Sequence, residues 1–172
     1  MNRPMSVSVF GVLNIIFGAF GLLGVLMSAP TFFSKAADSK NSVIQVMNHS
    51  PTFAAWMVIS AVLGALASAA LLAAGIGMLQ LWPMARKVSI GYAIYSMVMT
   101  PLGVIMELVF VLPVLTAQAH QQQGPAAAAV VGGTIGSMFG SLLGLTYPVL
   151  LLIFMLRRNV IAAFDPARRG GN

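Results

Sequence analysis

Gly132-Gly133-Thr134-Ile135-Gly136-Ser137-Met138-Phe139-Gly140-Ser141-Leu142-Leu143-Gly144 is the stretch on which the reading of this chain turns. Gly132, Gly136, Gly140 and Gly144 recur at every fourth position, and Gly133, Ser137 and Ser141 repeat the interval one place on. On a helix these positions form one nearly bare stripe, a glycine zipper. In water such a segment is a poor helix, because each glycine costs about 1 kcal/mol relative to alanine. In hydrocarbon no water competes for the backbone, so the helix is imposed anyway. The stripe then lets a second helix approach closely, which is how membrane helices gain packing energy. The stretch therefore predicts an all-α membrane protein. The stripe is expected to pack against span one or two of the same chain, with a contact to another subunit as the alternative.

The composition agrees. Of 172 residues, 59% are hydrophobic and only 7% charged, against roughly 25% charged in a soluble domain. A soluble fold of this length has no means of covering so much apolar surface. The formal net charge of +6 is not a nucleic-acid footprint. The cations stand at the ends of apolar runs, where membrane flanks carry them, so no nucleic-acid partner is expected. The absence of cysteine removes disulfides, thiolate catalysis and cysteine metal sites.

Four apolar runs, at about 5–27, 53–80, 88–115 and 130–156, make one membrane domain over 1–172. They leave outer loops at 28–52 and 116–129 and a tail at 157–172. The first run is longer than the roughly 7–15 residues of a signal-peptide core, and Pro30 follows the small residues Ser28 and Ala29. It reads as an uncleaved span. Ser42 is placed to open a short amphipathic helix over 43–47, lying on the membrane surface or over the bundle. Gly64 with Ser68 and Ala61 with Ala65 give span two its own close-packing face. Pro83 is read as ending that span, and Pro101 and Pro148 as bending spans three and four.

Four spans put both termini on one side. That side holds Arg3, Arg86, Lys87, Arg157, Arg158, Arg168 and Arg169, and the other holds Lys35 and Lys40. Seven cations against two place both termini in the cytoplasm. The predicted fold is a four-transmembrane-helix bundle running up-down-up-down. Arg3-Pro4-Met5-Ser6-Val7 and Arg86-Lys87-Val88-Ser89-Ile90 open spans one and three, and Ile76-Gly77-Met78-Leu79 and Ile153-Phe154-Met155-Leu156 close spans two and four. These echoes make a tandem repeat of two helical hairpins a candidate plan.

The opening Ser6-Val7-Ser8-Val9-Phe10-Gly11-Val12-Leu13-Asn14-Ile15-Ile16-Phe17-Gly18 resembles that of uncharacterised small bacterial four-span (tetraspan) membrane proteins. Gly75-Ile76-Gly77-Met78-Leu79, then Trp82, Ala85-Arg86 and Ser89-Ile90, is similar to their junction between the second and third spans. Those proteins more often set the tryptophan directly before Ala-Arg, where here Pro83-Met84 intervene. The resemblance implies a bacterial inner-membrane location and carries no activity.

Few residues offer chemistry. The spans contain one carboxylate, Glu107, and no His, Lys or Arg, so no acid–base pair, nucleophile system or metal cluster is expected. The chain is not read as an enzyme, and no cofactor is expected. Asn14 stands near the middle of span one, as an amide bonded to a neighbouring helix or as a substrate or ion contact. A lone carboxylate in hydrocarbon is costly, so Glu107 should face inward. Depth along the helices puts Ser60 of span two and Gly136-Ser137 of span four level with it. Glu107, Asn14, Ser60 and Ser137 are thus the candidate intramembrane polar site, and Gly132, Gly136, Gly140 and Gly144 the candidate packing residues. The twelve methionines are scattered and read as gap fillers rather than soft-metal ligands.

Two functional readings follow. One is a structural or interaction protein built on small-residue packing. The other is an oligomeric small transporter or channel with a proton- or cation-responsive Glu107. Expected partners are the lipid bilayer, anionic lipid at the cytoplasmic face through the tail arginines, and a second copy or another membrane protein.

Overall fold

The computed structural model describes residues 5–33, 42–121, 132–133, 135–136, 139–141, 143–157, 160 and 164. The described residues are helical apart from short turns. Helix α1 covers Met5–Phe33, α2 Ser42–His49, α3 Pro51–Leu79 and α4 Pro83–Met106. A π-helical segment, Glu107–Val111, joins α4 to α5 (Leu112–Gln121), and α6 covers Thr146–Met155.

Three helical stretches are long and apolar enough to cross a membrane: Val7–Pro30, Pro51–Leu79 and Pro83–Ala117. At 1.5 Å per residue the shortest reaches roughly 36 Å, more than the roughly 30 Å of a hydrocarbon core. Only 22%, 11% and 11% of their most apolar windows are buried. Phe20, Leu26 and Leu66 are each more than 60% exposed. Side chains of this kind in mid-helix need lipid as their solvent, and this is a membrane protein by that criterion. A shorter apolar stretch, Phe139–Met155, lies where the fourth span was expected, and much of 130–142 falls outside the described residues.

Several expected boundaries move. Helix α1 runs six residues past Met27, through Pro30 to Phe33. The structure places helix, not loop, over Thr116–Gln121. Pro83 does not simply end a span: it opens α4. Proline is well placed in a first helical turn, where its missing N–H has no partner to lose. The turn between α3 and α4 is consequently only Gln80–Trp82. The Trp82 N–H bonds Gly77 O at 2.7 Å and the Leu81 N–H bonds Met78 O at 3.0 Å. This is a Schellman pattern, with Leu81 at φ 57° in the place usually held by glycine.

The close helix approach is made by α1 and α3. A Cβ on Gly18 would lie 2.7 Å from Leu72 N, and one on Gly75 would lie 2.7 Å from Gly11 O. Gly21 faces Ser68 in the same way. Partner numbers fall along α3 as they rise along α1, so the two helices are antiparallel. The glycine stripe behaves differently. Nothing lies within 4 Å of a Cβ built on Gly132, Gly136, Gly140 or Gly144. The contact expected of the stripe within the chain is therefore not found among the described residues. Gly64 likewise meets open space, whereas Ser68 of the same expected face is used.

Two clusters close the ends of the helices. At one end Val7, Phe10, Leu71, Met78, Leu151 and Met155 pack together. Val160 and Phe164 beyond α6 also bury against this cluster. Phe10 stacks on Phe154 at 4.7 Å and Phe17 on Tyr147 at 4.4 Å, which sets α6 antiparallel to α1. Arg86 Nε donates to Met155 O at 2.9 Å, a cation on the carbonyl end of α6. At the other end Val46, Phe53, Val111 and Leu115 form the second cluster. Helix α2 begins at Ser42, as expected, and packs over this end.

Candidate functional site

The site begins with the start of α3. Ser50 is its N-cap, with Oγ accepting from the Phe53 N–H at 3.3 Å, and Pro51 follows in the first turn. This fixes the helix so that Phe53, Trp56, Met57 and Ser60, spaced 3, 1 and 3 residues apart, share one face. On α4, Ser96, Thr100, Gly103 and Glu107 follow at intervals of 4, 3 and 4, again one face. The two faces meet across a cavity of about 500 Å³. Tyr95 and Ser141 add to its wall, and Val43 of α2 closes part of it. The Phe53 and Phe110 rings, 5.5 Å apart, pin α3 to the π-helical segment beside it.

Glu107 sits where the helix leaves α geometry. Its N–H points to Gly103 O and Val104 O, and its carbonyl accepts from the Leu112 N–H, five residues on. A π turn of this kind often marks a functional position in a helix. The Ser60 hydroxyl donates to Met57 O at 3.0 Å within its own helix. Its lone pairs are thereby left for an outside donor or a cation. The titratable groups in the described wall are Glu107 and Tyr95; no Lys, Arg or His lines it. Gly103 contributes space, since a Cβ there meets nothing within 4 Å. Among the described residues no three His, Asp or Glu side chains gather, and Glu107 is the single acid of the described wall.

Asn14 belongs to a different place. Its side chain is fully buried, and three helices converge on it. The Tyr147 hydroxyl of α6 donates to Asn14 Oδ1. Asn14 Nδ2 donates to Ser89 Oγ of α4 at 3.1 Å and lies 3.6 Å from Met78 Sδ of α3. Ser89 in turn donates to Ala85 O at 2.9 Å. Each donor thus has an acceptor, and the chain of bonds runs one way from Tyr147 to Ala85. Ser89 and Glu107 are eighteen residues apart on one continuous helical run, roughly 27 Å at 1.5 Å per residue.

The structure therefore brings Ser60 and Glu107 together and sets Asn14 apart as a junction between helices. Ser137 lies outside the described residues; Ser141, one turn along the same stripe, lines the cavity. Sequence reasoning missed Thr100 and Gly103. The 4-3-4 spacing of Ser96, Thr100, Gly103 and Glu107 was the signal that could have found them. Compared with known protein families, curated proteins and solved structures, the chain matches none.

Proposed function

We propose that this chain is a four-span protein of the bacterial inner membrane, with both termini cytoplasmic, and that its Glu107 cavity is a proton- or cation-responsive site of a small oligomeric transporter or channel. The observation that carries this reading is the meeting of Glu107 with Ser60, Ser96 and Thr100 around about 500 Å³ of space between apolar spans. A carboxylate that served packing alone would need no such volume beside it. Ionisable side chains within spans ordinarily face a cavity or pathway, as this one does. The antiparallel contacts of α1 with α3 and α6 support the up-down-up-down plan. The charge asymmetry of the sequence supports the orientation.

The test is Glu107→Gln, which keeps shape and hydrogen-bonding capacity and cannot ionise. Purified protein in liposomes is assayed for pH-dependent ion flux and for pH-dependent conformational change. Wild type is expected to respond and Glu107→Gln to lose the response. An unaltered response in the variant overturns the reading.

A second reading, a structural or interaction protein, is favoured by the glycine stripe, whose described positions meet open space. It predicts that Gly136→Leu and Gly140→Leu change the oligomeric state in detergent and that wild type shows no pH-dependent ion flux.

A further inference from the structure

We infer that the Glu107 cavity binds a monovalent organic cation with an apolar body, such as a quaternary ammonium, rather than a metal ion or a neutral lipid-like molecule. This rests on the reading of Glu107 as the responsive group and adds the class of ligand.

Volume comes first. About 500 Å³ is far more than a bare ion fills and lies within the roughly 300–1,000 Å³ of small-molecule sites. Charge comes second. The described wall carries one carboxylate and no basic side chain, and the Ser60 hydroxyl presents lone pairs, having given its proton to Met57 O. Such a wall suits a cation and opposes an anion. A hard divalent ion needs six or more oxygen ligands, several of them charged, and one carboxylate with scattered hydroxyls does not supply that set. The third point is the character of the remaining surface. Trp56 and Tyr95 line the same cavity as the carboxylate, and ammonium groups are attracted to aromatic faces within about 6 Å. Met57, Met99 and Met106 are adaptable thioethers that fit irregular apolar bodies. A quaternary ammonium, which has no N–H to donate, is matched by the carboxylate, the aromatic residues and the thioethers together.

The chain carries its own reporter. Of its two tryptophans, Trp56 lines the cavity and Trp82 is 57% exposed at the far end of α3. In full-length Trp82→Phe protein held in nanodiscs, Trp56 emission is followed while benzyltrimethylammonium is added. Neopentylbenzene, its uncharged isostere, is the control. The cation is expected to change the emission saturably, with the isostere at least tenfold weaker. Glu107→Gln should weaken the cation at least tenfold, with its fold checked by circular dichroism. Gly103→Leu fills the cavity from a position with room for a side chain and leaves the carboxylate in place. It should weaken binding by a similar factor, and it serves as the deciding variant if Glu107→Gln does not fold.

Equal response to cation and isostere, unchanged by either variant, would overturn the inference, as would no saturable response at all. A ligand-free titration of the same protein from pH 4 to 9 separates the two claims. A Trp56 response to pH that Glu107→Gln abolishes, without cation binding, leaves the responsive site standing and removes the ligand class. No response to either pH or cation removes both.

Discussion

Replacing Asn14 by alanine should loosen the junction of α1, α4 and α6 without touching the Glu107 cavity. The substitution removes two hydrogen bonds between helices, from Tyr147 and to Ser89, and the contact with Met78 Sδ. Cross-helix bonds in membrane proteins average about 0.6 kcal/mol, with a ceiling near 1.7. Two of them give about 1.2 kcal/mol. The site is fully buried, so the lost side-chain contacts add roughly 1 kcal/mol more. The expected cost is thus about 2 kcal/mol, against about 0.6 for Tyr147→Phe, which deletes one bond and keeps the ring. Because the Tyr147–Asn14 bond is lost in both single variants, the double variant should cost about 0.6 kcal/mol less than their sum. The measurement is reversible unfolding of purified protein in mixed micelles by dodecyl sulfate, followed by circular dichroism. An Asn14→Ala cost below about 0.5 kcal/mol, or strictly additive singles, would refute the relay as a stabilising junction.

Three further outcomes are expected. Gly18→Ala and Gly75→Ala place a methyl group 2.7 Å from backbone atoms of the facing helix and should each cost about 1–3 kcal/mol in the same assay. Gly140→Ala, in open space, should leave stability unchanged or raise it by up to about 1 kcal/mol through helix propensity. Reporter fusions after Asn172 and within 117–125 should fall on opposite sides of the membrane; the same side for both would remove the four-span plan.

The helices were legible because apolar runs of this length admit no other backbone state in lipid. Their ends were less so. Pro83 reads as a breaker but stands in a first turn, where proline is welcome. Pairing Ser60 with Glu107 came from counting depth along antiparallel spans, and the structure keeps them on one wall. The same counting does not pair Asn14 with Ser89, because the expected spans put Asn14 nine residues in and Ser89 one; helix α4 begins earlier, at Pro83. The partner of a small-residue face was not legible. Bare backbone invites any helix, and Gly18 and Gly75 found one where the zipper glycines, with the more regular spacing, met open space. The π turn left no mark at all, since Glu-Leu-Val-Phe-Val is as compatible with an α-helix.

That turn sets the phase of everything after it. Along a regular helix Leu115 would stand eight steps of about 100° beyond Glu107, some 80° past two full turns. The π turn absorbs about one residue's rotation, which brings Leu115 to within roughly 20° of the Glu107 direction. Leu115 then reaches Val46 and Phe53, and the cap that α2 forms over the cavity has something to rest on. Glu107–Val111 acts as an angular coupling between α4 and α5. Straightening it into a regular α-helix with every residue kept would change the helices' lengths very little, yet swing the hydrophobic footing of the cap by about 100°, more than a quarter turn.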